Sequence, residues 1–375
     1  MNLRNRVVIG SITALAAGAG LLIAGPLNPP GGAVSSTMKT LAEVEPRIAI
    51  IASNTPGDTD SLFKITQPGS YYLTGNITGV PGKRGIEIAS NDVTIDLNGF
   101  TLRGVTGALD GITSMLSDAT GISVVNGVVR DWPLHGINIG SGPVFGGHVD
   151  AVCAESNGVD GIRVGNQVAV TRCSSVNNGD RGFAGATTCT FSNCASRGNG
   201  STGYYCTTSC TYGDCTAYLN GSHGFESAYD TAAYENCTSS YNNGDGFRLA
   251  AANAITGCSA GNNKGSGILI DTRCIVRGCT AYANAVGAAV GSNIKVIGTD
   301  NRVMDNNCAA GLRGIQVTVS GSFICRNTCT GNTTNWDVVA GNACLVVNAT
   351  MGGAISGNSG GSAPGSSDPN ANFTY

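Results

Sequence analysis

Large apolar, small and polar positions recur through the middle of the chain with a period near 21 residues. Cys153, Cys173, Cys194, Cys215, Cys237, Cys258 and Cys279 mark the period, at spacings of 20, 21, 21, 22, 21 and 21. Three positions before the mark stand Val170, Phe191, Tyr212, Tyr234, Ile255 and Val276. Two after it stand the small Ser175, Ser196, Ala217, Ser239, Ala260 and Ala281. Five after it stand Asn178, Asn199, Asn220, Asn242, Asn263 and Asn284. A glycine follows near the ninth position, and after it Ile162, Phe183, Tyr204, Phe225, Phe247 and Ile268. A fixed period of this length marks a solenoid. Columns that keep one size class form when equivalent residues stack in parallel strands ~4.8 Å apart.

The pattern selects among solenoids. Leucine-rich repeats need leucine columns, which are missing here, and helical repeats need a 3.6-residue period. Three short strands per coil fit the length, and the Asn column fits a sharp corner between strands. The fold class expected is all-β: a right-handed parallel β-helix solenoid of roughly 12 coils with an N-terminal cap. The boundaries read from the sequence are 1–33 for a signal peptide and linker, 34–84 for the cap, 85–350 for the β-helix, and 351–375 for a Gly/Ser-rich tail. The last residues, Ala371 to Tyr375, alternate well enough to add a closing strand or to cover the end of the last coil.

Composition narrows the function. Only 12% of the 375 residues are charged and the net charge is −3. A nucleic-acid binder would show a basic face, so no nucleic-acid partner is expected. Arg4 and Arg6, the uncharged stretch Val7 to Ala24, and Pro26, Pro29 and Pro30 read as an export signal cleaved between Ala24 and Ala33. The competing reading is an uncleaved anchor. Export places the protein outside the cell, on its surface or in the periplasm, with no membrane contact after cleavage. Fifteen cysteines in an exported chain suggest disulfides. Their periodicity instead places most of them in the core as small packing residues. Isolated pairs such as Cys325–Cys329 remain the better disulfide candidates. No metal site and no cofactor is expected, and nothing in the sequence argues for one oligomeric state.

The repeat of Cys-Thr, an Asn four residues on, and Gly followed by Phe or Ile resembles the right-handed β-helix repeat of the pectate-lyase-like superfamily. That group includes pectin-degrading enzymes, alginate epimerases and phage tailspikes. The opening "GIEIASNDVTIDLNGFTLRG" is similar to the first coil of many exported bacterial β-helix proteins. The resemblance implies the fold over Gly85 to Val347. It implies no activity, because one fold hosts many functions. The Arg-x-Pro-x-x-Arg setting of pectate lyases is missing. So are the Asp-Asp and Gly-His-Gly elements of polygalacturonases and the Asp-Pro-His-Glu run of alginate epimerases.

One outward column carries the candidate chemistry. The residue two after the turn glycine points away from the core. It reads Arg163, Ala184, Tyr205, Glu226, Arg248 and Leu269, and the residue before the glycine adds Asp160, Arg181, Thr202, His223, Asp245 and Ser266. The candidate ligand-binding set is Arg163, Tyr205, His223, Glu226, Asp245 and Arg248. It offers an aromatic platform, carboxylates and guanidinium forks, which suit a sugar. Exposed strand residues are often polar, and opposite charges on neighbouring strands stabilise a sheet without any ligand. The function expected is a non-catalytic carbohydrate-binding, adhesion or structural scaffold, with a polysaccharide or cell-surface glycan as partner. The alternative is a polysaccharide lyase, hydrolase or epimerase in which Glu226 and Asp245 act as acid and base.

Overall fold

The chain winds into a parallel β-solenoid because each repeat supplies three short strands separated by residues that accept a corner. The computed structural model describes residues 45–140, 145–348 and 369–375. The expected signal at 1–33 and most of the Gly/Ser-rich tail lie outside the described residues. The compact unit is Arg47–Tyr375, and every assigned element among its described residues is a strand. One strand of each coil enters a 13-stranded parallel sheet, and the others enter a 26-stranded sheet. One repeat shows the plan: Phe183–Thr187, then Thr190–Ser192, then Ala195–Arg197. The corners between strands fall at Thr188, Asn193 and Gly198, all in the left-handed region at φ 56°, 53° and 66°. Coil strands begin before Gly85. Ser61–Ile65 pairs in parallel with Arg84–Ile88, so part of the expected cap, 34–84, already carries coil register.

Two columns of rings fill the middle coils. Phe183, Tyr204, Phe225 and Phe247 stack with centroids 4.8, 4.6 and 4.8 Å apart and planes within 8° of parallel. Phe191, Tyr212 and Tyr234 form a second stack at 5.0 and 4.7 Å, which meets the first edge-on. The hydroxyls of Tyr204, Tyr212 and Tyr234 are buried and lack a hydrogen-bond partner. An orphaned hydroxyl costs about 1–3 kcal/mol. Burying a ring of 150–250 Å² gains more, roughly 4–6 kcal/mol, so packing wins.

Polar ladders hold the corners. The Asn amides of the predicted column donate each to the Oδ1 of the next coil at 2.9–3.0 Å, from Asn178 through Asn199, Asn220, Asn242 and Asn263 to Asn284. Asn157, outside the predicted column, starts the ladder by donating to Asn178 at 2.9 Å. Past Asn284 the chain inserts a loop. Asn293 then resumes the ladder, accepting from Asn284 at 2.9 Å and donating to Asn332 at 2.8 Å.

The cysteine ladder proves to be a corner of the same kind. The Cys237 N–H donates to Cys258 Sγ at 3.3 Å, and the thiols of Cys173, Cys194, Cys215, Cys237 and Cys258 each donate to the carbonyl two residues earlier. Beyond Cys279 the same position is taken by Asn306, Asn327 and Asn372, linked N–H to Oδ1 at 2.8, 3.0 and 2.9 Å. A thiol therefore stands where an amide otherwise does. Cys153 is off the ladder: it pairs with Ser174, the residue after Cys173, and is only half-buried. Val152 takes the ladder place instead, following the left-handed Ala151 as Cys173 follows the left-handed Arg172. The expected Cys325–Cys329 disulfide does not form. Both cysteines are free and buried, and the bond present joins Cys206 to Cys210.

The C-terminal strand enters the sheet rather than capping it. Asn372–Thr374 pairs with Thr328–Thr330 on one side and Val346–Asn348 on the other. Asn372 thereby becomes the last rung after Asn327.

Candidate functional site

In the middle coils a glycine (Gly161, Gly182, Gly203, Gly224, Gly246 and Gly267) precedes each strand of the 13-stranded sheet, the next residue faces inward and the one after it outward. Register sets the outward residues side by side. Arg163 pairs with Ala184, Ala184 with Tyr205, Tyr205 with Glu226, Glu226 with Arg248 and Arg248 with Leu269. The predicted candidates Arg163, Tyr205, Glu226 and Arg248 therefore lie on one face, with Ala184 in the coil between Arg163 and Tyr205.

Two subsites differ in chemistry. At the first, Ala184 leaves a notch between Arg163 and Tyr205. A cleft of about 90 Å³ lies there, floored by Ala184, Gly185 and Ala186 and bounded by Arg163, Arg181, Tyr205 and Thr207. The Arg181 guanidinium sits 3.9 Å above the Tyr205 ring, a cation–π contact that fixes both groups. Arg163 is exposed, with its guanidinium uncommitted among the described residues. Larger hollows of about 400 and 420 Å³ run from Asn76 to Asp131 on the other sheet. Both arginines there, Arg103 and Arg130, pair with Asp131, and no aromatic ring lines those hollows.

At the second subsite His223 and Asp245 meet. The Asp245 N–H donates to His223 Nδ1 at 2.9 Å, and Asp245 Oδ1 accepts the Ser266 N–H at 2.7 Å. Burial holds His223 below the ordinary imidazole pKa, against the pull of Asp245 and Glu226. A neutral ring whose Nδ1 accepts must carry its proton on Nε2. That Nε2 lies 3.4 Å from Arg248 Nη1. Two donors thus converge with no acceptor between them, a geometry that receives an oxygen of a ligand. Glu226, half-buried, accepts from Thr202 Oγ1 at 3.2 Å, which orients its carboxylate. A similar His–Asp pair recurs lower on the same face, His135 with Asp160 at 3.5 Å, where burial raises the Asp160 carboxyl. Among the described residues, no three His, Cys, Asp or Glu side chains gather to hold a metal ion.

Arg181, Thr202 and the Ala184–Ala186 floor were missed from the candidate set. Arg181 and Thr202 were visible as members of a neighbouring column. Only the side-chain directions show that one covers Tyr205 and the other orients Glu226.

Comparison with solved structures places this arrangement on a known fold. The A-module of mannuronan C-5 epimerase AlgE4 from Azotobacter vinelandii is 15% identical over 72% of this chain and 89% of that one, with a TM-score of 0.55. The AlgE6 A-module of the same organism is 14% identical over 79% and 87%, with a TM-score of 0.55. Dettilon tailspike protein is 16% identical over 76% and 62%, with a TM-score of 0.52. No protein-family model and no curated protein sequence matches the chain. The fold is a right-handed parallel β-helix. At these identities the likeness is one of fold alone.

Proposed function

We propose that the protein works outside the cell as a non-catalytic glycan-binding or adhesion scaffold, holding a polysaccharide along the face from Arg163 to Arg248. One observation carries the reading: the outward column sets a notched aromatic–guanidinium subsite beside a second subsite of convergent donors, one coil apart and in register. Ring faces suit the apolar faces of sugars, and the uncommitted Arg163 guanidinium, Arg248 and the His223 Nε2–H suit their oxygens. Support also comes from the neighbours of like fold, two of which are named for the epimerisation of a polysaccharide, mannuronan.

A second reading, turnover by lyase, hydrolase or epimerase chemistry, is favoured by the neutral His223 held between Asp245 and Arg248. A glycan array on the full chain, followed by assay of the hits for shortened, unsaturated or epimerised products, separates the two. Binding with no product is expected. Product formation that disappears in Glu226→Gln or Asp245→Asn would establish the enzyme reading and end the first.

A further inference from the structure

A different face of the solenoid has a chemistry that the charged column does not use. Four successive strands of the 26-stranded sheet, Thr216–Tyr218, Thr238–Ser240, Ser259–Gly261 and Thr280–Tyr282, stack in register and contain no charged residue. Their first outward positions form a row of hydroxyls. Their last read Tyr218, Ser240, Gly261 and Tyr282, so two rings stand three coils apart, about 14 Å, across a floor of small residues. Tyr218 and Tyr282 are 37% and 52% exposed. Arg197 lies 5.8 Å from the outer end of the row, over Tyr218.

The adjoining corner gives an independent sign. It takes the left-handed backbone from coil to coil, filled by Asn177 and Gly198 before this face and by Asn262 and Ala283 after its last two strands. After its first two strands it holds Leu219 and Tyr241, at φ 55° and 57°, 47% and 50% exposed. Bulky residues are disfavoured in that backbone, and exposing them gains no burial within the chain. Tyr241 also packs edge-on to Tyr218 at 5.6 Å, which presets both rings.

We infer that this face is a second binding site, and that its ligand is an uncharged polysaccharide laid along the solenoid axis between Tyr218 and Tyr282. Flat rings take the apolar faces of sugar rings, the hydroxyl row matches their hydroxyls, and the absence of charge favours a neutral chain. The site stands whether or not the charged column binds anything.

The test is affinity gel electrophoresis of the full chain through dextran, hydroxyethyl cellulose, xylan and galactomannan, at low and high salt. At least one gel is expected to retard the chain, equally at both salts. Retardation should weaken about tenfold in Tyr218→Ala and in Tyr282→Ala, and vanish in Gly261→Glu. A side chain at Gly261 meets nothing nearer than 3.7 Å, so that variant keeps the fold while placing a charge on the floor. Tyr229→Ala, an exposed tyrosine off this face, should change nothing. Retardation by no neutral polysaccharide, or retardation unchanged in folded Tyr218→Ala, Tyr282→Ala and Gly261→Glu, overturns the inference. So does a loss of self-association in those variants without a change in retardation, which would make a second copy of the chain the partner.

Discussion

Tyr204, Tyr212 and Tyr234 carry hydroxyls into a core that offers them no partner, in columns where Phe183, Phe191, Phe225 and Phe247 serve as well. Tyr204→Phe removes an unpaired polar atom and keeps the stack. It should raise stability by about 1 kcal/mol in chemical denaturation. The thiols give a pH dependence. Cys215 and Cys237 are pushed up to about 12, first by neighbouring thiols of the ladder, and Cys279 to about 12 by burial. Unfolded thiols ionise near 8.5, so above that value the unfolded state holds fewer protons than the folded one. Their contribution to stability is full below about 8.5 and falls as pH rises towards 12. Melting temperatures measured across that window should fall, and a thiol reagent should label the ladder only on unfolding. The column periodicity made these residues legible as core. Their hydrogen-bonding equivalence to Asn306, Asn327 and Asn372 was hidden, because cysteine and asparagine share no size or polarity class.

Among the elements, the Asn ladder joins successive coils at one corner, beside their short strands and ring stacks. Asn220 accepts from the Asn199 backbone at 3.2 Å and the Asn199 amide at 3.0 Å, and donates to Asn242 at 3.0 Å. Asn220→Ala leaves the buried Asn199 backbone N–H without its side-chain acceptor and removes one of the two donors to Asn242 Oδ1. A loss of about 2–4 kcal/mol is expected, read from the shift in denaturation midpoint. The ladder was legible because its spacing is regular. Two features were not. That Val152 rather than Cys153 takes the ladder place has no sequence mark beyond a spacing of 20 in place of 21. The alternation of Ala371 to Tyr375 announced a closing strand, but its place between Thr328–Thr330 and Val346–Asn348 is a pairing distant in sequence, which periodicity cannot reveal.

At the scale of the molecule, the solenoid turns one-dimensional register into two-dimensional surfaces. The faces differ in chemistry because each strand position is repeated coil after coil. One surface alternates arginines, carboxylates and a tyrosine around a notch; another sets tyrosines and hydroxyls without charge. The alignment of Arg163, Tyr205, Glu226 and Arg248 followed from counting residues after the turn glycine. The cover of Arg181 over Tyr205 and the convergence of His223 on Arg248 depend on side-chain directions that counting does not give.

Calorimetric titration of the wild-type chain and Tyr205→Ala with a glycan selected on the array tests the central claim most directly. The Tyr205 ring is half-exposed and carries no core contact of the ring stacks, so the variant should fold. The account predicts binding by the wild type with no glycan consumed, and affinity at least about tenfold weaker in Tyr205→Ala. Equal affinity in the two proteins, or steady conversion of the glycan by the wild type, would contradict it.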